Sequence, residues 1–299
     1  MPLRVLLCCL FMTLALPVLG QDRQTLGVGR IFSNDFIGDG HDRWRSGAYS
    51  LSILRGPAWD GSPPPQPGQL LEYRLRAEII APGTVSPLDR PYAGTLALAL
   101  ATHAALGDHD LSLGVETVVV GPQTGLFDFQ TWFHDLASLP APRGGASQLP
   151  DAVYPGAFVE LAHPLHVSPT VTLRPFAEAR VGVEDLVRIG AEVIIGPVGQ
   201  RDLWLRDVTT GQLYRGITDR QTGLAVVAGA DFARVDDSAY LPADRGFAAR
   251  DSRSRARIGV HWQLGDTLSL FYGATWLSPE FQGQPQGQVL GSLTLNVTF

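Results

Sequence analysis

The chain has almost no cysteine, and the two that it contains lie close to its start. Cys8 and Cys9 both fall within the opening segment MPLRVLLCCLFMTLALPVLG. Once that segment is removed on export, the mature chain has no thiol. This absence excludes disulfides, cysteine metal sites and cysteine nucleophiles, so hydrolytic chemistry must rest on His, Ser, Thr, Asp or Glu.

The opening segment has the pattern of a secretory signal peptide. An apolar core, Val5–Leu19, follows an arginine and ends at the small residue Gly20. Pro17 interrupts an apolar run that is already shorter than the ~20 residues of a membrane-spanning helix. We therefore predict a cleaved leader over 1–20 and a single mature domain over 21–299.

Long apolar runs and a surplus of positive charge are also absent. No second segment is long and apolar enough to predict a transmembrane helix. The 29 acidic residues outnumber the 23 basic ones, and a net charge of -6 offers no basic surface for nucleic acid. Hydrophobic residues nevertheless make up 45% of a sequence with 33 glycines and 22 prolines. A soluble exported enzyme and an outer-membrane β-barrel both agree with this composition.

A period of two in the apolar residues favours the barrel, whose wall alternates lipid-facing apolar residues with mixed residues facing the lumen. In the last segment Leu293, Leu295, Val297 and Phe299 share one face, whereas Ser292, Thr294, Asn296 and Thr298 share the other. Segments 170–181 and 257–264 repeat the alternation, and we expect their Arg and Glu residues to point inward and pair. A terminal aromatic residue is typical of outer-membrane barrels and is read by their assembly machinery.

Further segments have the length and composition of strands: Gln24–Ser33, Gly47–Leu54, Leu70–Ile80, Gly94–Thr102, Asp110–Val120, Ala157–His163, Val187–Ile195, Ala225–Val235 and Leu268–Leu277. Together with the segments above, they predict an all-β fold, a transmembrane antiparallel β-barrel of about twelve strands. The proline-rich stretches 61–68 and 139–155 are expected to be loops, because proline cannot donate a hydrogen bond to a sheet.

One polar segment, residues 34–47 (NDFIGDGHDRWRSG), concentrates aspartates and glycines. Oxygen ligands on flexible backbone suit a hard cation such as Ca²⁺, and Asp39 and Asp42 are candidate ligands on this basis. The same composition fits a solvated turn, because Asp and Gly are common in turns. These residues alone leave both interpretations open.

Among the seven histidines, His134 has the most informative surroundings. It follows Gln130 by four residues, so in a helix the two side chains share one face. The glutamine amide would then hold the imidazole tautomer that leaves the other ring nitrogen free as a base. A Gly-Pro break at Gly121 and Pro122 precedes the segment. We therefore predict a short helical turn at the barrel rim that carries a catalytic histidine.

Three segments carry a resemblance to a known family. They are the Asn34–Asp35 pair followed by DRWRSG, the run DRPYAG from Asp89 to Gly94, and the GP…G…Q…H segment that ends at His134. In these residues and in their order the chain resembles the LpxR family, the outer-membrane lipid A 3′-O-deacylases, which are twelve-stranded barrels. The resemblance implies the outer membrane of a Gram-negative cell, with lipid A and the surrounding lipid as partners.

The resemblance also implies a calcium-dependent esterase that removes the 3′-linked acyl chains of lipid A, with His134 as general base on a water molecule. It assigns Asn34 and Asp35 to the calcium and active-site end, Ser46 and Gly47 to donors near the oxyanion, and Gln130 to the support of His134. Physical chemistry agrees, because a cation and N–H groups stabilise a developing oxyanion and neutral imidazole accepts a proton near pH 7.

Two positions leave alternatives open. Arg90 is a candidate ligand for a lipid A phosphate, which a planar guanidinium binds well, but an ion pair with Asp89 or with an acid in the lumen explains it equally. No glutamate follows His134 closely where the family pattern has an acidic partner, and Asp135 or Asp151 are the substitutes.

Two other functions compete with this one. An outer-membrane phospholipid hydrolase would need a serine nucleophile, and no serine here lies in an obvious nucleophile motif. A non-catalytic barrel, porin-like or ligand-binding, is the alternative from another class. A lumen lined by Arg, Glu and Gln within about twelve strands is expected to be narrow and filled, which weakens the porin interpretation.

Overall fold

The computed structural model describes residues 23–84 and 89–297. The predicted leader, 1–20, and two positions of the predicted last strand, Thr298 and Phe299, lie outside the described residues. Within these ranges the chain forms fifteen β-strands, one α-helix and three short 3₁₀ helices. None of the helices in them is both long enough and apolar enough to cross a bilayer.

The strands are, in chain order, β1 (Gln24–Asn34), β2 (Trp44–Gly56), β3 (Leu70–Ala81), β4 (Ala93–Leu106), β5 (His109–Val120), β6 (Ala152–Ala162), β7 (Leu165–Ser168), β8 (Val171–Val181), β9 (Glu184–Ile195), β10 (Leu203–Arg206), β11 (Leu213–Ile217), β12 (Gly223–Ser238), β13 (Ser252–Leu264), β14 (Leu268–Leu277) and β15 (Gln288–Val297). Twelve of them form an antiparallel ring that pairing between β6 and β8 closes. β7 is a short strand beside β8, and β10 and β11 form a separate hairpin. The predicted twelve-stranded antiparallel barrel is confirmed.

The barrel wall alternates as the sequence pattern predicts. On β8 the side chains of Arg174 and Arg180 are buried, whereas Leu173 is exposed. On β13 Arg257 is buried and Ile258 is exposed. The outer surface is therefore an apolar band and the interior is charged, which is the arrangement of a barrel surrounded by lipid.

Ion pairs fill the lumen. Arg257 pairs with both Glu192 and Asp231, and Arg206 bridges Glu192 and Glu160. Charges are retained away from water when they are paired in this way. A cavity beside Arg76 in this network measures about 50 Å³, which leaves room for only a few water molecules. The arrangement agrees with the expectation of a narrow, filled lumen.

A connection that the sequence pattern does not reveal folds into the barrel. Residues 196–222, which we call the plug, link β9 to β12 and contain the β10–β11 hairpin. Leu205 and Tyr214 of the plug pack with Ile31 and Leu54 of the wall in one buried cluster. Because β10 and β11 are buried on both faces, except for the half-buried Trp204, they show no alternation that would predict them.

One strand begins earlier than predicted. β6 starts at Ala152, inside the stretch 139–155 whose prolines predict a loop. Pro155 pairs with Thr117 of β5, while the pairing of β6 with β8 covers Ala157–Ala162. At Pro155 the strand therefore has a neighbour on one side and behaves as an edge, where proline is tolerated.

The barrel has two ends. The terminal end contains the start of β1 and the end of β15, and the opposite end, the site end, contains the β1–β2 and β5–β6 connections. The β5–β6 connection includes the helix α1 (Leu126–Leu136), and the β1–β2 connection is residues 35–43. The antiparallel ring thus brings two segments with candidate site residues to the same end.

Candidate active site

The helix forms at the site end because glycines reverse the chain before it. Gly121 and Gly125 have φ angles of 103° and 67°, which glycine adopts without strain, and Pro122 begins the 3₁₀ turn between them. α1 follows directly, with Asp128 in its first turn, where a negative charge interacts favourably with the helix dipole. The predicted short helix near the site is confirmed.

α1 has inverted polarity. Its buried side chains are Gln130 and His134. Its outward face consists of large apolar side chains that are 48–68% exposed: Phe129, Trp132, Phe133 and Leu136. A helix surrounded by water would place polar residues outside and apolar ones inside. An exposed apolar face of this kind indicates contact with hydrocarbon.

His134 is held by a backbone carbonyl. Its Nδ1 lies 2.5 Å from the carbonyl oxygen of Pro140. A carbonyl only accepts, so Nδ1 carries the hydrogen and Nε2 keeps its lone pair when the ring is neutral. Nε2 lies 3.7 Å from Oδ2 of Asp42. The ring is therefore oriented with its basic nitrogen toward a carboxylate from the β1–β2 connection.

Asp42 contacts three of the predicted site residues, Ser46, Gln130 and His134. Its Oδ1 accepts hydrogen bonds from the Ser46 hydroxyl and from the Gln130 amide, the latter at 3.2 Å, and its Oδ2 faces His134. Gln130 lies on the predicted helix face, but among the described contacts its amide donates to Asp42 and not to the imidazole. The support for the ring thus comes from Pro140, and the amide orients the acid.

The acidic partner of His134 is therefore not close to it in sequence. Asp151 accepts a hydrogen bond from the backbone N–H of Gln123, and Asp135 is exposed on the outside of α1. Neither of these two substitutes contacts the ring in the described structure. Asp42 faces the ring instead, although the composition of its segment had made it a candidate calcium ligand.

Asn34 and Gly47 lie opposite each other where β1 and β2 meet the site. The side-chain Oδ1 of Asn34 accepts a hydrogen bond from the backbone N–H of Phe36, which directs the side-chain Nδ2 toward Gly47. A Cβ at Gly47 would lie 3.2 Å from that nitrogen. Glycine therefore leaves space beside the Asn34 amide that a side chain would narrow. A register shift between Arg45 and Gly47 in the β2–β3 ladder surrounds Ser46.

Asp35 is a fully buried carboxylate. Its Oδ2 accepts from the backbone N–H of Arg43 at 2.7 Å. Its Oδ1 has no hydrogen-bond partner among the described residues. Burial, assisted by the negative charges of Asp42 and Asp39, raises the pKa of Asp35 to about 8. This oxygen is therefore suited to a proton or to a cation.

The side chains of residues 23–84 and 89–297 do not form a complete calcium site, since no three His, Asp or Glu among them are arranged to hold a metal. Asp39 is engaged by Arg43 and by the backbone N–H of Val289. Asp42 is engaged by Ser46 and Gln130, as described above. Asp35 Oδ1 has no hydrogen-bond partner among the described residues, and Asp42 Oδ2 faces only His134 at 3.7 Å, whereas calcium takes about six to eight oxygen ligands.

Arg90 is buried, and its guanidinium pairs with Glu280. Of the two interpretations left open, the ion pair is the one found, with Glu280 rather than Asp89 as the acid. Asp89 instead accepts from the backbone N–H of Thr84. The guanidinium is thus buried and paired in this structure, and a phosphate ligand for Arg90 stays a prediction.

Tyr92 is a site residue that the sequence analysis did not identify. It is buried and packs edge-on against Phe127 of α1, with ring centroids 5.1 Å apart. Its hydroxyl has no hydrogen-bond partner within the described part of the chain. Burial, together with the charges of Asp42 and Asp128, raises the pKa of Tyr92, so it stays a hydrogen-bond donor. The sequence signal that could have identified Tyr92 is its position in DRPYAG, one of the three segments that carry the family resemblance.

The chain is similar to known outer membrane proteins in sequence pattern and in fold. The family profile described as outer membrane protein LpxR matches residues 5–299. Among solved structures, LpxR from Salmonella typhimurium is 16% identical, with 91% of this chain and 100% of that chain covered and a TM-score of 0.74. An outer membrane channel from Pseudomonas putida F1 is 13% identical, with 95% and 100% covered and a TM-score of 0.46. No curated protein sequence matches.

Proposed function

The chain belongs to the LpxR family of outer membrane proteins, which are lipid A 3′-O-deacylases, and from this premise we propose how its residues hydrolyse the ester. The protein is an ester hydrolase built on an outer-membrane β-barrel. The observation that carries the proposed mechanism is the distance of 3.7 Å between His134 Nε2 and Asp42 Oδ2.

Two acceptor atoms at this distance suit a bridging water molecule. The distance is too long for a direct hydrogen bond, but a water can donate one hydrogen to each atom. In the proposal the water oxygen attacks the carbonyl carbon of the 3′-linked ester while its proton passes to Nε2 of His134. The negative charge of Asp42 then stabilises the imidazolium.

The second step returns the proton. The tetrahedral intermediate collapses by breaking the bond between the carbonyl carbon and the 3′ oxygen. That oxygen takes the proton from Nε2 and leaves as an alcohol, and the acyl chain leaves as a carboxylic acid. His134 is neutral again at the end, with its Nδ1 hydrogen still donated to Pro140.

Stabilisation of the oxyanion is assigned to the end of β1 and the paired position on β2. We assign Asn34 and Gly47 to this role because the Asn34 amide nitrogen faces the space that glycine leaves open. The Ser46 hydroxyl is already donated to Asp42, so we assign it to orienting that carboxylate. Tyr92 supplies a further buried hydroxyl donor near the site.

Calcium dependence is the part of the proposal that rests on the family. Bound calcium would supply positive charge for the ester oxyanion. Asp35 would be one of its ligands, because Oδ1 of this buried carboxylate has no hydrogen-bond partner among the described residues. Since these donors do not complete a site, none of the steps above passes through the ion.

The surroundings of the site support a lipid substrate. The outward face of α1 is apolar, and Phe36 in the adjoining β1–β2 connection is also exposed. Acyl chains can remain among these side chains while the ester reaches His134. We therefore propose that the site end opens into the outer leaflet, where lipid A is found, after insertion by the barrel assembly machinery.

The test is mass spectrometry of lipid A from cells that express the protein or its His134→Ala variant, with calcium present and then chelated. We expect the 3′ acyl mass to disappear only with the unaltered protein. His109→Ala is the matched control, because His109 lies at the start of β5 at the terminal end. It should leave deacylation intact.

Two outcomes would redirect the proposal. Unchanged lipid A in all samples, with the barrel shown to be folded, would favour a phospholipid substrate or a non-catalytic barrel. Deacylation that continues after chelation would show that the His134 mechanism does not need calcium.

A further inference from the structure

The seam between the first and last strands has the shortest pairing in the described barrel ring. β1 and β15 pair at three positions, from Phe32↔Leu293 to Asn34↔Gly291. The same register would set Thr294 opposite Ile31, but the described backbone forms no pairing from there to the terminal end. β15 is paired with β14 as far as its last described residue, so the strand itself continues past the gap.

The plug packs against β1 along this unpaired stretch. β11 lies against the inner side of β1, and a Cβ on Gly27 would overlap the carbonyl oxygen of Gly216. A Cβ on Gly29 would crowd the Arg215 carbonyl oxygen in the same way. Glycine at both positions permits the close backbone approach. β1 is thus packed closely against the plug where its backbone pairing with β15 has ended, and there the Thr294 hydroxyl of β15 donates to the Arg30 carbonyl oxygen instead.

An apolar cleft of about 550 Å³ crosses the seam on the outside of the wall. This volume falls within the range of small-molecule sites. Its lining consists chiefly of outward side chains: Phe32, Tyr49, Trp262, Tyr272, Leu293 and Leu295. The cleft reaches the active-site region, because the Tyr272 hydroxyl donates to the Ile37 carbonyl in the β1–β2 connection at 3.2 Å.

Arg30 is the charged residue in this lining. The strand registers place it in a row with Leu51, Leu75 and Leu98, of which the last two are 42% and 66% exposed. An arginine in the lipid-facing band is unfavourable without a counter-charge. Arg30 forms no ion pair within the described ranges, and its Nε has no hydrogen-bond partner there. The cleft therefore combines apolar walls with one uncompensated guanidinium.

We propose that this cleft binds a long-chain carboxylate, with the hydrocarbon chain on the apolar lining and the carboxylate on Arg30. The guanidinium selects an anionic head, and the cleft volume suits a single chain. A fatty acid is the product of ester hydrolysis, so this inference rests on the proposed function. Arg30 precedes Asn34 by four residues, roughly 13 Å along the strand. The cleft is thus a route for the product from the site into the lipid.

The experiment measures quenching of Trp262 fluorescence by 9,10-dibromostearate in the mature, detergent-solubilised protein, with Trp262→Phe as the background. The Arg30→Gln variant should bind the probe about tenfold more weakly or worse, and Arg30→Lys should retain most of the binding. Arg55→Gln is the matched control, since Arg55 is exposed on neighbouring β2 but does not line the cleft. Methyl 9,10-dibromostearate should bind weakly to all variants.

Equal quenching by the acid and its methyl ester, or by the acid in wild type and Arg30→Gln, would overturn the proposal. Tighter binding of a dibrominated phosphatidic acid would also overturn it, in favour of a phosphorylated headgroup. Binding needs no hydrolysis, so the His134→Ala variant should bind the probe as the wild type does. An inactive wild-type protein that still binds dibromostearate would refute the deacylation mechanism alone.

Discussion

Two buried carboxylates at the site end, Glu280 and Asp35, differ in the cations around them. Glu280 pairs with Arg45, Arg90 and Arg253. Burial alone would raise the pKa of Glu280, but these guanidinium groups hold it well below its usual range. Asp35 has no arginine side chain as a partner among the described residues, and burial raises its pKa to about 8.

The presence or absence of an arginine partner distinguishes a carboxylate that stabilises the barrel interior from one that is available for chemistry. All 23 basic residues of the chain are arginines, whose planar guanidinium suits buried ion pairs. An acid paired with arginine has its lone pairs occupied. Asp35 and Asp42 have no arginine partner among the described ion pairs; both lie in the β1–β2 connection, and Asp42 faces His134. The absence of an arginine partner therefore distinguishes Asp35 and Asp42 from Glu280 at the site end.

Removal of the Glu280 charge should have the largest effect of the changes considered, and the effect should be on stability. Glu280→Gln leaves three buried guanidinium groups short of an anion, so the free energy of unfolding should fall by about 3–5 kcal/mol. Denaturant unfolding in detergent measures it. Asp236→Asn breaks an ion pair with Arg234 that is exposed on both sides, and it should cost less than about 1 kcal/mol. Equal losses in both variants would contradict the structural role of Glu280.

Asp42→Asn should have the largest effect on turnover among the site acids. The variant keeps the hydrogen bonds to Ser46 and Gln130 within reach but removes the charge that faces His134. We expect kcat to fall roughly 100-fold, at the lower end of general-base effects, with the unfolding transition unchanged. Asp128→Asn, on the exposed side of α1, is the control. Full activity in Asp42→Asn would remove Asp42 from the mechanism.

Asp35 should make stability depend on pH. In the folded protein its carboxyl holds a proton up to about pH 8, whereas the unfolded group loses it near 3.8. Between these values the folded state binds more protons, so stability falls as pH rises. Asp35→Asn should remove this slope. Hydrogen exchange of residues 35–43 at pH 5 and pH 8 measures it, and an unchanged slope in the variant would assign it to other groups.

The smallest expected effect concerns the apolar face of α1. Trp132→Ser should raise KM for lipid A a few-fold and leave kcat unchanged, because the side chain contacts hydrocarbon and not the reacting atoms. Trp276→Ser on the barrel wall has comparable exposure and serves as the control. KM values for a water-soluble short-chain ester should not change in either variant. A loss of kcat in Trp132→Ser would indicate that the helix itself has moved.

Much of the fold could be predicted because a barrel wall repeats locally. The alternation on β8 and β13 identified the side chains that face the lumen, and four-residue spacing placed Gln130 on the face of His134. The β10–β11 hairpin escaped prediction because buried strands lose the alternation. Tyr92 and the Pro140 carbonyl escaped because neither residue type marks a function by itself.

By itself the sequence determined which residues face lipid, which face the lumen and which helix carries His134, because each follows from a period of two or four along the chain. Only the tertiary structure decided which acid faces the histidine, that Arg90 pairs with Glu280, and that the pairing of β1 with β15 ends at Phe32. Each of these depends on contacts between residues far apart in the chain, where an acid such as Asp42 has many possible partners and only the folded packing selects one.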